Sequence, residues 1–321
     1  MSAPAWRSVI PAAADRPAVA TPRAELAVTS GDGAVLRLRR HGNPQAPVRL
    51  YLSHGNGFAI DGYNRFWEHF TADFDLVLFD MRSHGQNPRA EPSHHDYAHM
   101  VEDMAALGAA VRAEFGAKPA AGLFHSMSAQ AALMLLMITA GQRDDFDALV
   151  LFDPPNVPPA GHPVYRAMRG YEEKLAAWAD NRRDRFAASE ELAAEYAATR
   201  SGRRWPPGTS LAMAAAVLRR GEAAASWALA CPRELEASMY RQGVGLGLWP
   251  RRRDVAVPVT LIAADPEAPY PAPTALANRA LAAEGGFDYR AIPGTSHLLQ
   301  LEAPERCAAA ALAALTRLGL R

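Results

Sequence analysis

The feature that most constrains this 321-residue chain is the stretch 119–139, PAAGLFHSMSAQAALMLLMIT. A short apolar run stops at His125, Ser126, Met127 and Ser128 and passes directly into an Ala/Leu/Met-rich helical pattern. It reads as strand, sharp turn and helix, with Ser126 at the turn. A serine there is lifted clear of the backbone, and the helix N-terminus behind it favours negative charge. That is what an acyl-transfer nucleophile requires, and the same turn aims the Met127 backbone N–H at the point where a carbonyl oxygen becomes an oxyanion. A serine between a strand and a helix is commonplace, so the chemistry depends on partners elsewhere in the chain.

The surrounding pattern alternates. Ala24–Thr29 and residues 34–40 flank Gly31, Asp32 and Gly33, which predicts a hairpin. Residues 48–53 form a strand running into His54, Gly55, Asn56, Gly57 and Phe58; a helical stretch at 63–71 precedes the buried-type strand 74–79. A helix over 95–115 precedes the strand into Ser126, and the strand 148–152 closes at Asp153. Strand signals return at 257–264 and 287–292, with helices over 274–284 and 304–318. Strands separated by helices imply a mostly parallel sheet covered on both faces.

Between these halves the pattern changes. Residues 165–249 contain helical stretches, breakers around Pro206, Pro207 and Gly208, and no strand signal; they hold four of the six tryptophans. This divides the chain into a loose N-terminal arm at 1–23, a core at 24–159 and 251–321, and a helical insertion at 160–250. Such an insertion over the carboxyl ends of a parallel sheet lies where ligands bind. Glu172, Glu173, Glu190 and Glu191 are the acids in it that could hold a substrate amine.

Composition closes off other classes. Lys plus Arg equals Asp plus Glu at 34 each, so no net charge draws the chain to nucleic acid. The two cysteines, Cys231 and Cys307, have neither disulfide-framework nor zinc spacing. The first residues lack the apolar core of a signal peptide, and no run is long enough to span a bilayer. The expectation is a cytoplasmic protein, monomer or homodimer, acting on a small molecule without contacting membrane or nucleic acid.

Loops at the carboxyl ends of parallel strands converge on one rim, which gathers the turns after Ser53, His125 and Ala264 with the loop carrying Gly294, Thr295, Ser296 and His297. Ser126, an acid near 265 and His297 then occur in the order Ser, acid, His. This order, with a helical insertion before the acid, resembles the α/β-hydrolase superfamily, in particular its cap-bearing serine hydrolases. The resemblance covers 48–153 and 257–318. It implies the α/β-hydrolase fold with an inserted helical cap, and a triad of Ser126, His297 and an acid. Asp265 is the first choice, with Asp153 and Glu267 as alternatives. It further implies an oxyanion hole from the Asn56 and Met127 N–H groups, and a pocket lined by His54, Gly55, Gly57, Phe58 and His125. The Asp80-x-Arg82-x-x-Gly85 segment matches the family's structural brace, which leaves His84 without a catalytic role.

One departure stands out: the family's elbow is Gly-x-Ser-x-Gly, and here Phe124 and Ser128 hold the glycine positions. The expected chemistry is acyl transfer to water on a small to medium apolar ester or related carbonyl, with no metal or organic cofactor. Thioesterase, lactonase, carbon–carbon hydrolase and aminopeptidase activities remain open, as does a ligand-binding protein that keeps the pocket without efficient turnover.

Overall fold

A computed structural model describes residues 19–139, 146–220 and 226–321; most of the expected N-terminal arm lies outside these. The chain opens with β1 (Ala24–Thr29) and β2 (Val35–Gly42), followed by β3 (Arg49–Ser53), the short α1 (Asn64–Trp67), β4 (Asp75–Phe79) and α2 (Tyr97–Phe115). Next come β5 (Ala120–His125), α3 (Met127–Thr139) and β6 (Ala148–Phe152). A second group comprises α4 (Tyr165–Asn181), β7 (Arg185–Phe186), α5 (Ser189–Ala198), α6 (Thr209–Val217), β8 (Leu218–Arg220), β9 (Trp227–Leu229) and α7 (Arg233–Gly245). The chain returns through β10 (Val259–Ala263), α8 (Pro273–Gly285), β11 (Asp288–Ala291), α9 (Leu299–Glu302) and α10 (Pro304–Arg317).

Eight strands form one sheet in the order β1-β2-β4-β3-β5-β6-β10-β11. The hairpin β1–β2 and the β2–β4 pair are antiparallel, and every pair from β4 to β11 is parallel. Central strands β3 to β6 and β10 are buried along their whole length, so alternate residues serve opposite faces. Leu50, Leu52, Leu123, Val150 and Phe152 pack with Phe66 and Trp67 of α1 and Cys307, Ala311 and Leu315 of α10. Tyr51, Phe79, Phe124, Leu149 and Leu151 pack instead with Met100 and Met104 of α2, Leu133 of α3 and Leu281 of α8. Local chemistry fixes some ends: Asp96 caps α2 by accepting from the His99 N–H at 2.9 Å.

One expectation needs correction, and one departure from the family pattern is explained. The segment after β6 is not purely helical, because β7, β9 and β8 form a small antiparallel sheet in that order. Strands of two or three residues are too short to show a period of two in sequence. The second concerns Phe124, the bulky residue at an elbow position that usually needs glycine. Its ring lies 6.0 Å from that of Phe79 and 5.6 Å from that of Phe146, over the backbone of Gly122. A Cβ at Gly122 would meet the Phe124 ring at 2.2 Å and Leu149 at 2.7 Å. The small residue has thus moved two places back along the same strand face. We expect Gly122→Ala to destabilise the fold by about 1–3 kcal/mol through overpacking. A denaturant double-mutant cycle with Phe124→Ala should recover most of that loss as coupling energy, and additive effects would refute the pairing. Among the described residues no helix is long and apolar enough to cross a membrane.

Candidate active site

The strand β5 ends and α3 begins at Ser126, whose φ of 53° is left-handed, a conformation a non-glycine residue adopts only when its surroundings impose it. Its N–H donates to Phe152 O at 3.0 Å and its carbonyl accepts from the Gln130 N–H at 3.0 Å, tying it to both β6 and α3. Ser128 contributes as well: its hydroxyl accepts from the His125 N–H at 3.1 Å and donates to the His125 carbonyl at 3.0 Å. The turn is closed by a side chain that glycine could not supply.

His297 lies between two partners. Its Nε2 is 2.9 Å from Ser126 Oγ and its Nδ1 is 2.7 Å from Asp153 Oδ2. The carboxylate beside the imidazole is therefore Asp153, at the end of β6, and not Asp265. Asp153 is fully buried with φ 45°, its N–H bound to Ile262 O at 2.9 Å. Its Oδ1 accepts from the Ala264 N–H at 3.1 Å and from Asn278 Nδ2 at 3.2 Å, and Oδ2 accepts from the Thr274 hydroxyl. These donors leave a carboxylate oxygen that can only accept, so His297 carries its proton on Nδ1 and presents a lone pair to the serine. Asp265 instead receives the N–H groups of Gly294 at 2.7 Å and Glu267 at 2.9 Å, steadying the loop that carries His297. Glu267 is exposed at the edge of the same opening and pairs with Arg279. Strands β6 and β10 are adjacent and in register, so both expected positions lie on one rim, and only the orientation of the side chains separates them.

The loop from His54 to Phe58 faces Ser126. A Cβ on Gly55 would lie 3.1 Å from the Ser126 Cβ, so glycine lets the two turns approach. Gly55 N–H donates to Tyr63 OH at 3.4 Å, the Phe58 N–H to the Gly55 carbonyl at 3.2 Å, and the Gly57 N–H to His84 Nε2 at 3.1 Å. Below it, Asp80 accepts from the Ile60 and Gln86 N–H groups and pairs with Arg39 at 3.0 Å. Burial, the largest single influence, favours the neutral Asp80 carboxyl, but Arg39, His54 and the Gln86 and Ile60 N–H groups together outweigh it and hold the carboxyl down at about 2. His84 thus supports the loop from beneath without reaching the reacting centre.

His125, next to the serine, is also fixed. Its Nε2 lies 2.9 Å from the His297 carbonyl, which can only accept, so that nitrogen carries the hydrogen; Nδ1 then accepts from Tyr63 OH at 2.9 Å. Burial, with the nearby His297, keeps this imidazole neutral far below the usual histidine range. His125 is therefore a neutral strut between the elbow and the histidine loop.

These turns open onto a cavity of about 740 Å³. Gly55, Gly57, Phe58 and His125 line it with Ser126 and His297. His54 does not: it is buried beneath the loop, bound to the Gly55 carbonyl at 2.8 Å and to the Met81 N–H at 3.1 Å. The far wall comes from the segment after β6, with Tyr171, Trp178, Tyr196 and Trp205; the Tyr171 ring is 6.1 Å from that of His297. None of Glu172, Glu173, Glu190 and Glu191 lines the cavity; its wall instead carries charged side chains that no motif assigned to the site, among them Arg182, Arg200, Arg204 and Glu236. Among the described residues two potential ligand groups lie elsewhere, His84–His95–Cys231 and Asp32–His94–His99, each with its ligand atoms within 4.8 Å of one another. In the first, both His84 nitrogens are already engaged, Nδ1 with Arg82 O at 2.9 Å and Nε2 with Gly57.

The comparisons agree with this architecture. No curated relative matches the chain. A solved E-2-(acetamidomethylene)succinate hydrolase superposes with a TM-score of 0.72 at 17% identity, over 90% of this chain and 98% of its own. An alpha/beta hydrolase from Novosphingobium aromaticivorans gives 0.67 at 19% identity, covering 94% and 99%. A thermophilic esterase from Thermogutta terrifontis gives 0.62 at 17% identity, covering 92% and 99%. At these identities the likeness is one of fold. The sequence pattern of the alpha/beta hydrolase family, however, matches residues 50–310, most of the chain, and the protein belongs to that family.

Proposed function

We propose that the protein is a serine hydrolase that transfers an acyl group from an ester or related carbonyl compound to water. The observation that carries this reading is the imidazole of His297 held between Ser126 Oγ at 2.9 Å and Asp153 at 2.7 Å. In this mechanism His297 Nε2 takes the Ser126 proton as Oγ attacks the carbonyl carbon, and Asp153 fixes the tautomer and stabilises the imidazolium. The tetrahedral oxyanion is received by two backbone donors. One is the Met127 N–H, in the first turn of α3 where helical amides lack intrahelical acceptors. The other is the Asn56 N–H, whose neighbours in the loop are committed to Tyr63, His84 and Gly55. His297 returns its proton to the leaving alkoxide, then draws one from water, which attacks the acyl-enzyme and frees Ser126. The helices and small sheet of 160–250 act as a cap that supplies the substrate-facing wall. A cavity of about 740 Å³ suits a small to medium substrate.

A pure ligand-binding role would rest on Phe124 at the elbow and on Asp265, which does not reach His297. Gly122 accommodates the first, and Asp153 takes the place of the second. Intact-mass labelling with a fluorophosphonate tests the assignment. One adduct is expected on the wild type, none on Ser126→Ala, and labelling of His297→Ala slowed by about a thousandfold or more. Folded wild-type protein that takes no adduct would overturn it.

A further inference from the structure

The substrate-facing wall carries aromatic rings and several charged side chains; Arg200 and Arg204 are exposed at it, and one charged pair is buried in it. Arg182, just past the end of α4, donates through Nη1 to Glu236 Oε2 of α7 at 2.8 Å; the side chains are 7% and 2% exposed, yet both line the cavity. Arg182 is stacked 4.7 Å over the Trp178 ring and its Nη2 is 3.5 Å from Tyr196 OH, so the guanidinium is fixed in direction. Glu236 is fixed too. Its carboxylate lies on the loop facing the serine, where a Cβ on Gly57 would meet Glu236 Oε1 at 2.4 Å, and its backbone carbonyl accepts from Asn56 Nδ2 at 2.8 Å. The ion pair is therefore built into the wall of the reaction chamber, two residues along the loop from the glycine that touches Ser126.

A buried ion pair used only as cement is a poor choice, because desolvating both charges offsets most of their attraction and apolar residues of the same size serve as well. Its chemistry as a binding surface is specific. Arg182 has five N–H donors and Glu236 two acceptor oxygens, and one contact between them leaves donors and an acceptor side by side. Their charges already cancel. A substrate carboxylate placed within reach of Arg182 would also come close to the Glu236 carboxylate in a partly desolvated wall, and the repulsion would oppose the gain. A neutral group that accepts and donates at adjacent atoms matches both partners: its carbonyl oxygen takes an Arg182 N–H and its N–H gives to Glu236.

We propose that Arg182 and Glu236 are the specificity-determining pair of the pocket and select substrates that carry a secondary amide or equivalent neutral donor–acceptor group beside the scissile carbonyl. This rests on the serine-hydrolase reading above. Two matched sets of esters test it, one varying the acyl half (p-nitrophenyl 4-acetamidobutanoate, heptanoate and hydrogen pimelate), the other varying the alcohol half (2-acetamidoethyl and pentyl acetate). In at least one set the wild type should favour the amide over its alkyl counterpart by about tenfold to a hundredfold in kcat/KM, since binding the alkyl group leaves the wall's polar atoms without partners. The acidic ester should be the poorest of its set. Glu236→Gln should raise the acidic ester by about tenfold relative to the amide, because Arg182 then lacks its counter-charge, and Arg182→Met should remove the amide preference. Wild-type preference alone decides the matter if either variant fails to fold. Fluorophosphonate labelling and ester turnover without an amide preference, or with the acidic ester favoured, would overturn the inference; no labelling and no turnover of any ester would overturn the underlying reading instead.

Discussion

Asp153→Asn is expected to lower kcat for ester hydrolysis by about a thousandfold to ten-thousandfold with little change in KM, while Asp265→Asn stays within about tenfold of wild type. The contrast follows from what each carboxylate holds. Around Asp153 the Ala264 N–H, the Asn278 amide and the Thr274 hydroxyl all donate, and the one remaining partner is His297 Nδ1. An asparagine would have to turn its NH2 toward some of these donors or toward His297. If it faces His297, Nδ1 becomes the acceptor and Nε2 the protonated nitrogen, so the histidine can no longer take the Ser126 proton. The geometry survives and the tautomer is lost. Among the described residues the Asp265 carboxylate accepts from two backbone N–H groups, of Gly294 and Glu267, and asparagine keeps an oxygen able to serve one of them. Its loss loosens the histidine loop without changing the protonation of the ring. Steady-state kinetics of both variants on one p-nitrophenyl ester would decide between the two acids, and a collapse confined to Asp265→Asn would return the triad to that residue.

That choice also marks where sequence reasoning stops. The alternation of strands and helices, the hairpin at the start, and the placement of Ser126 and His297 on one rim are local or topological facts that residue patterns carry. The acid is different. Asp153 and Asp265 follow adjacent parallel strands, so each meets the same rule, and only three-dimensional packing of Thr274 and Asn278 around one of them separates the two. Thr274 and Asn278 sit one helical turn apart at the start of α8 and face the same way, a signal present in the sequence but silent until Asp153 is known to lie opposite. Arg182 and Glu236 were illegible for a similar reason: one follows α4 and the other lies on α7, and they meet only when those helices pack together. The Phe124 departure, in contrast, had a readable compensation, since Gly122 lies two residues earlier and therefore on the same strand face.

Glu172→Gln is expected to stabilise the protein at neutral pH, by about 3 kcal/mol at pH 7, and to leave stability at pH 4 unchanged. Glu172 is on α4, 2% exposed, beside Gly243 of α7, where its Oε2 would lie 3.4 Å from an added Cβ, with Gln130 Oε1 and Tyr97 OH each 3.9 Å from the same point. Among the described residues its Oε1 has no hydrogen-bond partner, and the titratable groups facing it, Tyr97, Tyr171 and Tyr240, offer no positive charge. Burial without compensation pushes its carboxyl up from 4.5 to about 8. The native state therefore holds a proton that the unfolded chain releases once the pH passes its ordinary value. The unfolded state binds fewer protons in that window, so stability falls steadily from about pH 4.5 to about pH 8 and levels off above it, at about 1.4 kcal/mol per pH unit. Glutamine has the same shape and no charge to desolvate, so its variant should lose that slope. Urea midpoints at pH 4, 7 and 8.5 for both proteins measure it directly, and parallel curves would show that Glu172 ionises freely in the folded state. The residue joins α4 to the helices that carry Tyr97 and Gln130, and it is adjacent to Tyr171 in the cavity wall. The ionised carboxylate is costly to bury there, so the packing of the substrate-facing wall on the core weakens as the pH rises through about 8, and the same substitution should carry ester hydrolysis to higher pH before activity falls.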